Sequence, residues 1–143
     1  MADTREVARE ITEAFNAHDK ARIAELNATD AVFVAPPEIE FRGREAVTEY
    51  AMGWLNAFPD ARIEVHDEIV AGDKVVLQFT FRGTHTDTLR GPQGEIPATG
   101  KSLVGRGVQI LTVTGGQVAE TQLYFDQVQV LTQLGLMPEP ARA

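Results

Sequence analysis

Residues 118–135 read VAETQLYFDQVQVLTQLG. Ala119, Thr121, Leu123 and Phe125 alternate with Glu120, Gln122, Tyr124 and Asp126, the period of a strand with one apolar face. At Asp126 the spacing changes. Val128, Leu131 and Leu134 follow a helical period, so the chain passes from its last strand into a last helix, about Gln127 to Leu134. Gly135 stands where a C′ glycine belongs, with Pro138 just beyond. Upstream, TGGQ (114–117) is a hairpin turn. It joins this strand to KSLVGRGVQILTV (101–113), a longer strand before it.

Before that lie DKVVLQFTFRG (73–83) and ARIEVHDEIV (61–70), both strands, and a polar loop, DTLRGPQGEIPATG (87–100). The first half has a different character. Asp3 and Glu6 have capping-box spacing, and Val7, Ile11, Ala14 and Phe15 share one helical face. Asp19 caps a short helix over Lys20 to Leu26. DAVFVAPP (30–37) is a short strand closed by Pro36 and Pro37. A third helix follows Gly43, with Val47, Tyr50, Ala51, Trp54 and Phe58 along one side and Pro59 ending it. Helices come first and antiparallel strands later, which is the α+β pattern. With no repeat and no linker, residues 1–143 read as a single domain.

The 143 residues are 43% hydrophobic and carry a formal net charge of −8. That balance excludes disorder and argues against nucleic acid as a partner. Cysteine is absent. The N-terminus MADTREVAREI has no apolar core of the secretory kind, and no apolar run reaches the roughly 20 residues of a membrane helix. A cytoplasmic protein that avoids membranes is expected.

The inventory removes most chemistries. Ser102 is the one serine and lacks a nucleophile-elbow context. His18, His66 and His85 show no metal-binding spacing. No glycine-rich loop joins a strand to a helix in a βαβ unit. What remains is acid–base work by a carboxylate, or binding without chemistry, and neither calls for a metal or a cofactor.

Three stretches carry a resemblance: AFNAHD at the end of the first helix, FRGTHT with IPATGK around the loop, and ETQLYFDQVQVLTQLG. The chain resembles the SnoaL-like polyketide cyclases and ester cyclases of the nuclear-transport-factor-2-like fold. The resemblance implies a cone of curved antiparallel sheet wrapped around the N-terminal helices. It also implies an acid–base aspartate at the end of the last strand, here Asp126, closing a ring by a cofactor-free aldol step. Family relatives also hydroxylate, or close rings by opening epoxides.

The chain departs from the family at three supporting positions. Counted from the TGGQ turn, Thr112 stands where the cyclases place a histidine beside the aspartate. Phe15 replaces a tyrosine, and Ala51 an asparagine, while Trp54 is retained. The ketosteroid isomerases share the fold, and their base would fall near Ala35, with Glu38 and Glu40 out of register.

The expected site is an apolar cavity for a small apolar molecule. Asp126 is its catalytic group, and Tyr124 or Gln122 hydrogen-bonds a developing oxyanion. Trp54, Tyr50, Phe15 and Thr112 line it, with His85 at the rim. Asp126 has a second reading, because Gln129 three residues on gives it the geometry of a helix cap. Strands apolar on both faces point to a homodimer through the outer sheet face.

Overall fold

A computed structural model describes residues 3–91 and 94–137. Pro138 and the tail after it lie outside the described residues. Four helices and eight strands follow one another: α1 (Thr4–Asn16), α2 (Lys20–Leu26), β1 (Asn27–Ala35), β2 (Ile39–Arg42), α3 (Arg44–Ala57), β3 (Arg62–Ala71), β4 (Lys74–Thr84), β5 (Leu89–Gly91), β6 (Gly94–Ile96), β7 (Ser102–Thr114), β8 (Gln117–Phe125) and α4 (Gln127–Gln133). The α+β class and the final strand-to-helix switch are as the sequence indicates. So are the caps. Asp3 accepts the Glu6 N–H at 2.8 Å, and Asp19 accepts that of Arg22 at 3.0 Å.

Six strands form one sheet in the order β2-β1-β8-β7-β4-β3. All its neighbours are antiparallel except β1, which runs parallel to β8. The sheet is therefore mixed, a correction to the antiparallel expectation. The pairing arises because β1 enters the sheet beside a strand almost ninety positions later, a contact that local period does not encode. β2 is also new. It folds back on β1 after Pro36 and Pro37. The polar loop contains a small hairpin, β5–β6.

Register shifts between Val65 and Asp67 and between Thr112 and Val113 bend the sheet. It wraps α1, which touches β3, β4, β7 and β8. One end is closed by Val7, Ala8, Val75, Leu77, Leu111, Val113 and Val118. Toward the other end, α3 and α4 pack over Leu103 and Phe81. Among the described residues no helix is long and apolar enough to cross a membrane.

Two polar side chains set the orientation of these parts. Asn16, in the AFNAHD stretch, donates to the Ile63 carbonyl at 2.9 Å and accepts the Ile63 N–H at 2.7 Å, fixing the end of α1 to β3. Gln133, in the QLG stretch, accepts the Val104 N–H at 2.8 Å and donates to its carbonyl at 2.9 Å. β8 has ended there, so Gln133 takes the place of a strand and holds α4 against β7.

Candidate functional site

The strand faces decide what can reach the interior. On β8 Val118 is buried before the register shift, and after it the inward set is Thr121, Leu123 and, half-buried, Phe125. Its cross-strand partners are Leu111, Gln109 and Gly107 on β7. These pairs face the helices. Gln122 and Tyr124 therefore face outward, a correction to the expectation that they meet the cavity. An amphipathic strand turns its apolar alternate inward, and here the polar alternate forms its own ladder. The Tyr124 hydroxyl donates to Gln122 at 2.9 Å, and the Gln122 amide donates to Glu120 at 2.9 Å.

Thr112 is a second correction. It pairs with Glu120, and its hydroxyl accepts from Lys74 at 2.9 Å. A tight turn sets residues equidistant from it opposite each other. Gly107 faces Phe125, so one step further the register brings Arg106, not Thr112, opposite Asp126.

His85 is a third. It is fully buried rather than at a rim, stacked on Phe58 with ring centroids 5.1 Å apart. The Thr99 N–H donates to its Nδ1 at 3.3 Å, and its backbone pairs with Lys101 and Gly100 at 2.9 and 2.8 Å. His85 thus clamps the stem of the β5–β6 loop, which in turn packs on α3. Burial holds its pKa below the ordinary value, partly offset by the nearby backbone of Asp87 and Ile96. The GTHT stretch shapes the fold around the site.

The interior holds a cavity of about 130 Å³, bounded by α1, α3, β7, β8 and the start of α4. Phe15, Tyr50, Ala51 and Trp54 line it from the helices, with Phe33, Phe79, Phe81, Leu123 and Phe125 from the sheet. Trp54 stands edge-on to Phe81 at 5.6 Å and to Phe125 at 5.8 Å. Of the residues expected there, Asp126, Trp54, Tyr50 and Phe15 line the cavity, and Tyr124, Gln122, Thr112 and His85 do not.

Gly105 belongs to the site and was not anticipated as part of it. It pairs with Phe81 on the inner face, and a Cβ there would meet nothing within 4 Å. A strand glycine on a buried face leaves room for something else, so the GRG pattern was the available signal. Gly107 differs. A Cβ at that position would lie 2.6 Å from Phe79 Cζ.

Asp126 follows the outward-facing alternate, but the chain leaves the strand there. Its backbone, at φ −85° and ψ 105°, turns into α4, and its carboxylate accepts the Gln129 N–H at 3.1 Å. The exposed side chain borders the cavity mouth on one side. On the other it borders a shallow outer depression with His66, Arg106 and Tyr124. Arg106 borders both as well. Among the described residues, Asp126 is the one acidic residue in the cavity lining and Arg106 the one cation. No cluster of three His, Cys, Asp or Glu side chains suited to a metal occurs among the described residues.

The family model for the SnoaL-like polyketide cyclases matches residues 5–134.

The chain belongs to the SnoaL-like polyketide cyclase family.

Solved structures agree on the fold of this SnoaL-like domain. A SnoaL-like protein of Jannaschia sp. CCS1 superposes with a TM-score of 0.83 at 21% identity, over 94% of this chain and 93% of the other. AclR of Streptomyces galilaeus, a candidate hydroxylase, gives 0.80 at 24%, over 97% and 89%. IdmH of Streptomyces antibioticus, a candidate polyketide cyclase, gives 0.76 at 28%, over 94% and 99%. No curated protein sequence matches the chain.

Proposed function

We propose that this chain is a cofactor-free acid–base enzyme of the cyclase type, acting on a small apolar carbonyl compound in the cavity between sheet and helices. One observation carries the reading. Asp126 is the only acidic residue lining the cavity among the described residues, and it stands where the family resemblance puts the acid–base aspartate.

A carboxylate at the edge of an apolar cavity can take a proton from the carbon beside a carbonyl. The enolate carbon then attacks a second carbonyl of the same molecule, and one carbon–carbon bond forms. The resulting alkoxide recovers the proton from the Asp126 carboxyl. Arg106 borders the same mouth and is available to stabilise charge developing on oxygen. The cyclase description of IdmH, 28% identical, supports the ring-closing form of the reaction. The same abstraction would also serve an isomerisation, with the proton returned to a different carbon.

A second reading is a binding protein with no chemistry. The Asp126 cap on Gln129 favours it, because a cap alone accounts for a carboxylate at this position. Deuterium wash-in at the α-carbons of a monocyclic ketone, followed by proton NMR in D2O, separates the two. The enzyme exchanges these protons faster than buffer. A binding protein would take up the ketone and leave the exchange rate at the buffer value.

The outer sheet face supports a homodimer. Ile69, Val104 and Tyr124 are exposed there, and Val76, Val108 and Ile110 are half-buried beside them. Covering them removes apolar surface from water. Sedimentation at micromolar concentration should give twice 15.6 kDa, and a monomer mass would remove this part of the reading.

A further inference from the structure

The cavity is small and its wall is aromatic. At about 130 Å³ it is slightly below the roughly 150 Å³ of an apolar cavity known to take one benzene ring. It encloses one ring, and a second ring would have to extend through the mouth. Phe33 of the wall and Phe41 behind it pack against Tyr50 at centroid distances of 5.1 and 4.5 Å.

The polar groups of the lining separate by whether the protein already uses them. The Asn27 amide donates to the Ile23 carbonyl at 2.8 Å, and the Thr12 hydroxyl to that of Ala8 at 2.9 Å. Both are taken. The Trp54 indole N–H beside the Tyr50 hydroxyl can only donate to it, so the hydroxyl's own hydrogen has no acceptor among the described residues. Burial pushes the Tyr50 phenol up to about 12, opposed in part by the nearby Trp54 indole. The group therefore keeps its proton at any working pH and is a hydrogen-bond donor. The other phenol, Tyr124, is turned outward and already donates to Gln122.

We infer that the cavity selects a carbonyl compound the size of a single ring, and that Tyr50 is the positioning residue that donates a hydrogen bond to its oxygen. This rests on the cavity being the substrate site. It gives that site an oxygen-binding group on α3, a role that Gln122 and Tyr124 cannot fill from the outer face. Gln109 on β7 and the Thr121 hydroxyl on β8 are the competing donors from the sheet.

The test compares cyclohexanone with methylenecyclohexane, its counterpart without oxygen, and with 2-decalone, a two-ring ketone. Trp54 is the only tryptophan of the chain and lines the cavity, so its emission reports each titration. The wild-type protein should bind cyclohexanone about 3–10-fold more tightly than the hydrocarbon, the span of one net hydrogen bond. Tyr50→Phe should reverse the preference, because the ketone oxygen is then buried without a donor, and Gln109→Leu and Thr121→Val should keep it. 2-Decalone should bind more weakly than cyclohexanone. A wild type without a preference for the ketone, or a preference that survives Tyr50→Phe and is lost in Gln109→Leu or Thr121→Val, overturns the role of Tyr50. Binding of 2-decalone as tight as that of cyclohexanone overturns the size class. If none of the three binds, the cavity is not the substrate site, and the failure lies with the underlying reading.

Discussion

Asp126 accepts the backbone N–H of Gln129 at 3.1 Å, and both residues line the mouth of the cavity. The bond orients the carboxylate and starts α4 in one stroke. A capping carboxylate accepts through one oxygen and keeps lone pairs on the other, so the cap does not exhaust the side chain. Holding the base on the first turn of a helix, itself pinned by Gln133, fixes its position relative to the aromatic wall.

Gly105 and Gly107 lie two residues apart on β7 and should respond oppositely to a side chain. Gly105→Val places its methyls in open cavity. Folding stability should stay level or rise, while the change in Trp54 emission on adding cyclohexanone disappears. Gly107→Ala drives a Cβ against Phe79 Cζ at 2.6 Å and the Tyr124 carbonyl at 3.0 Å. It should cost about 1–3 kcal/mol. Urea unfolding of the two variants checks both outcomes.

Asn16 and Gln133 each satisfy both backbone groups of one residue. Asn16→Ala leaves the N–H and C=O of Ile63 without those partners and should cost about 1–3 kcal/mol. Gln133→Ala should cost less globally, because Val104 is exposed, yet it should release α4. Amide exchange in residues 127–133 should then speed up while that of β4 stays slow. A uniform change across the chain would show that Gln133 has no local role.

His85 makes stability depend on pH in a defined direction. Its folded pKa lies below the ordinary 6.5 because burial disfavours the imidazolium. The unfolded chain therefore binds the proton first, and stability falls as pH drops below about 6.5. Asp60 adds a second loss at lower pH. Its carboxylate, held below the ordinary 3.8 by the Thr84 N–H and hydroxyl, must protonate there. Urea midpoints measured between pH 7.5 and 5 should decline in the wild type and flatten in His85→Phe; the same slope in both would remove His85 from the account.

The helices were legible because their signals are local: Asp3, Asp19 and Asp126 each accept an N–H three residues on. The partner of β1 was not, since the contact with β8 spans most of the chain. β2 and β5–β6 are too short to show a period. Periodicity found both faces of β8 but does not say which is inside. The polar face of Gln122 and Tyr124 was assigned to the cavity, where Leu123 and Phe125 belong. Two of the motifs behind the resemblance, around Asn16 and His85, hold the frame. Each also gives the cavity one aromatic ring, Phe15 and Phe81, while the third stretch supplies Leu123, Phe125, Asp126 and Gln129 to its wall and mouth.

The most direct measurement is the rate of α-proton exchange in bound cyclohexanone for the wild type and for Asp126→Asn, with urea midpoints taken on both. Asparagine caps a helix about as well as aspartate, so the midpoints should agree within about 0.5 kcal/mol. The exchange rate should fall to the buffer value, a loss of roughly 10²–10⁴-fold for a removed general base. An Asp126→Asn protein that exchanges the ketone as fast as the wild type would contradict the account and leave Asp126 as a helix cap alone.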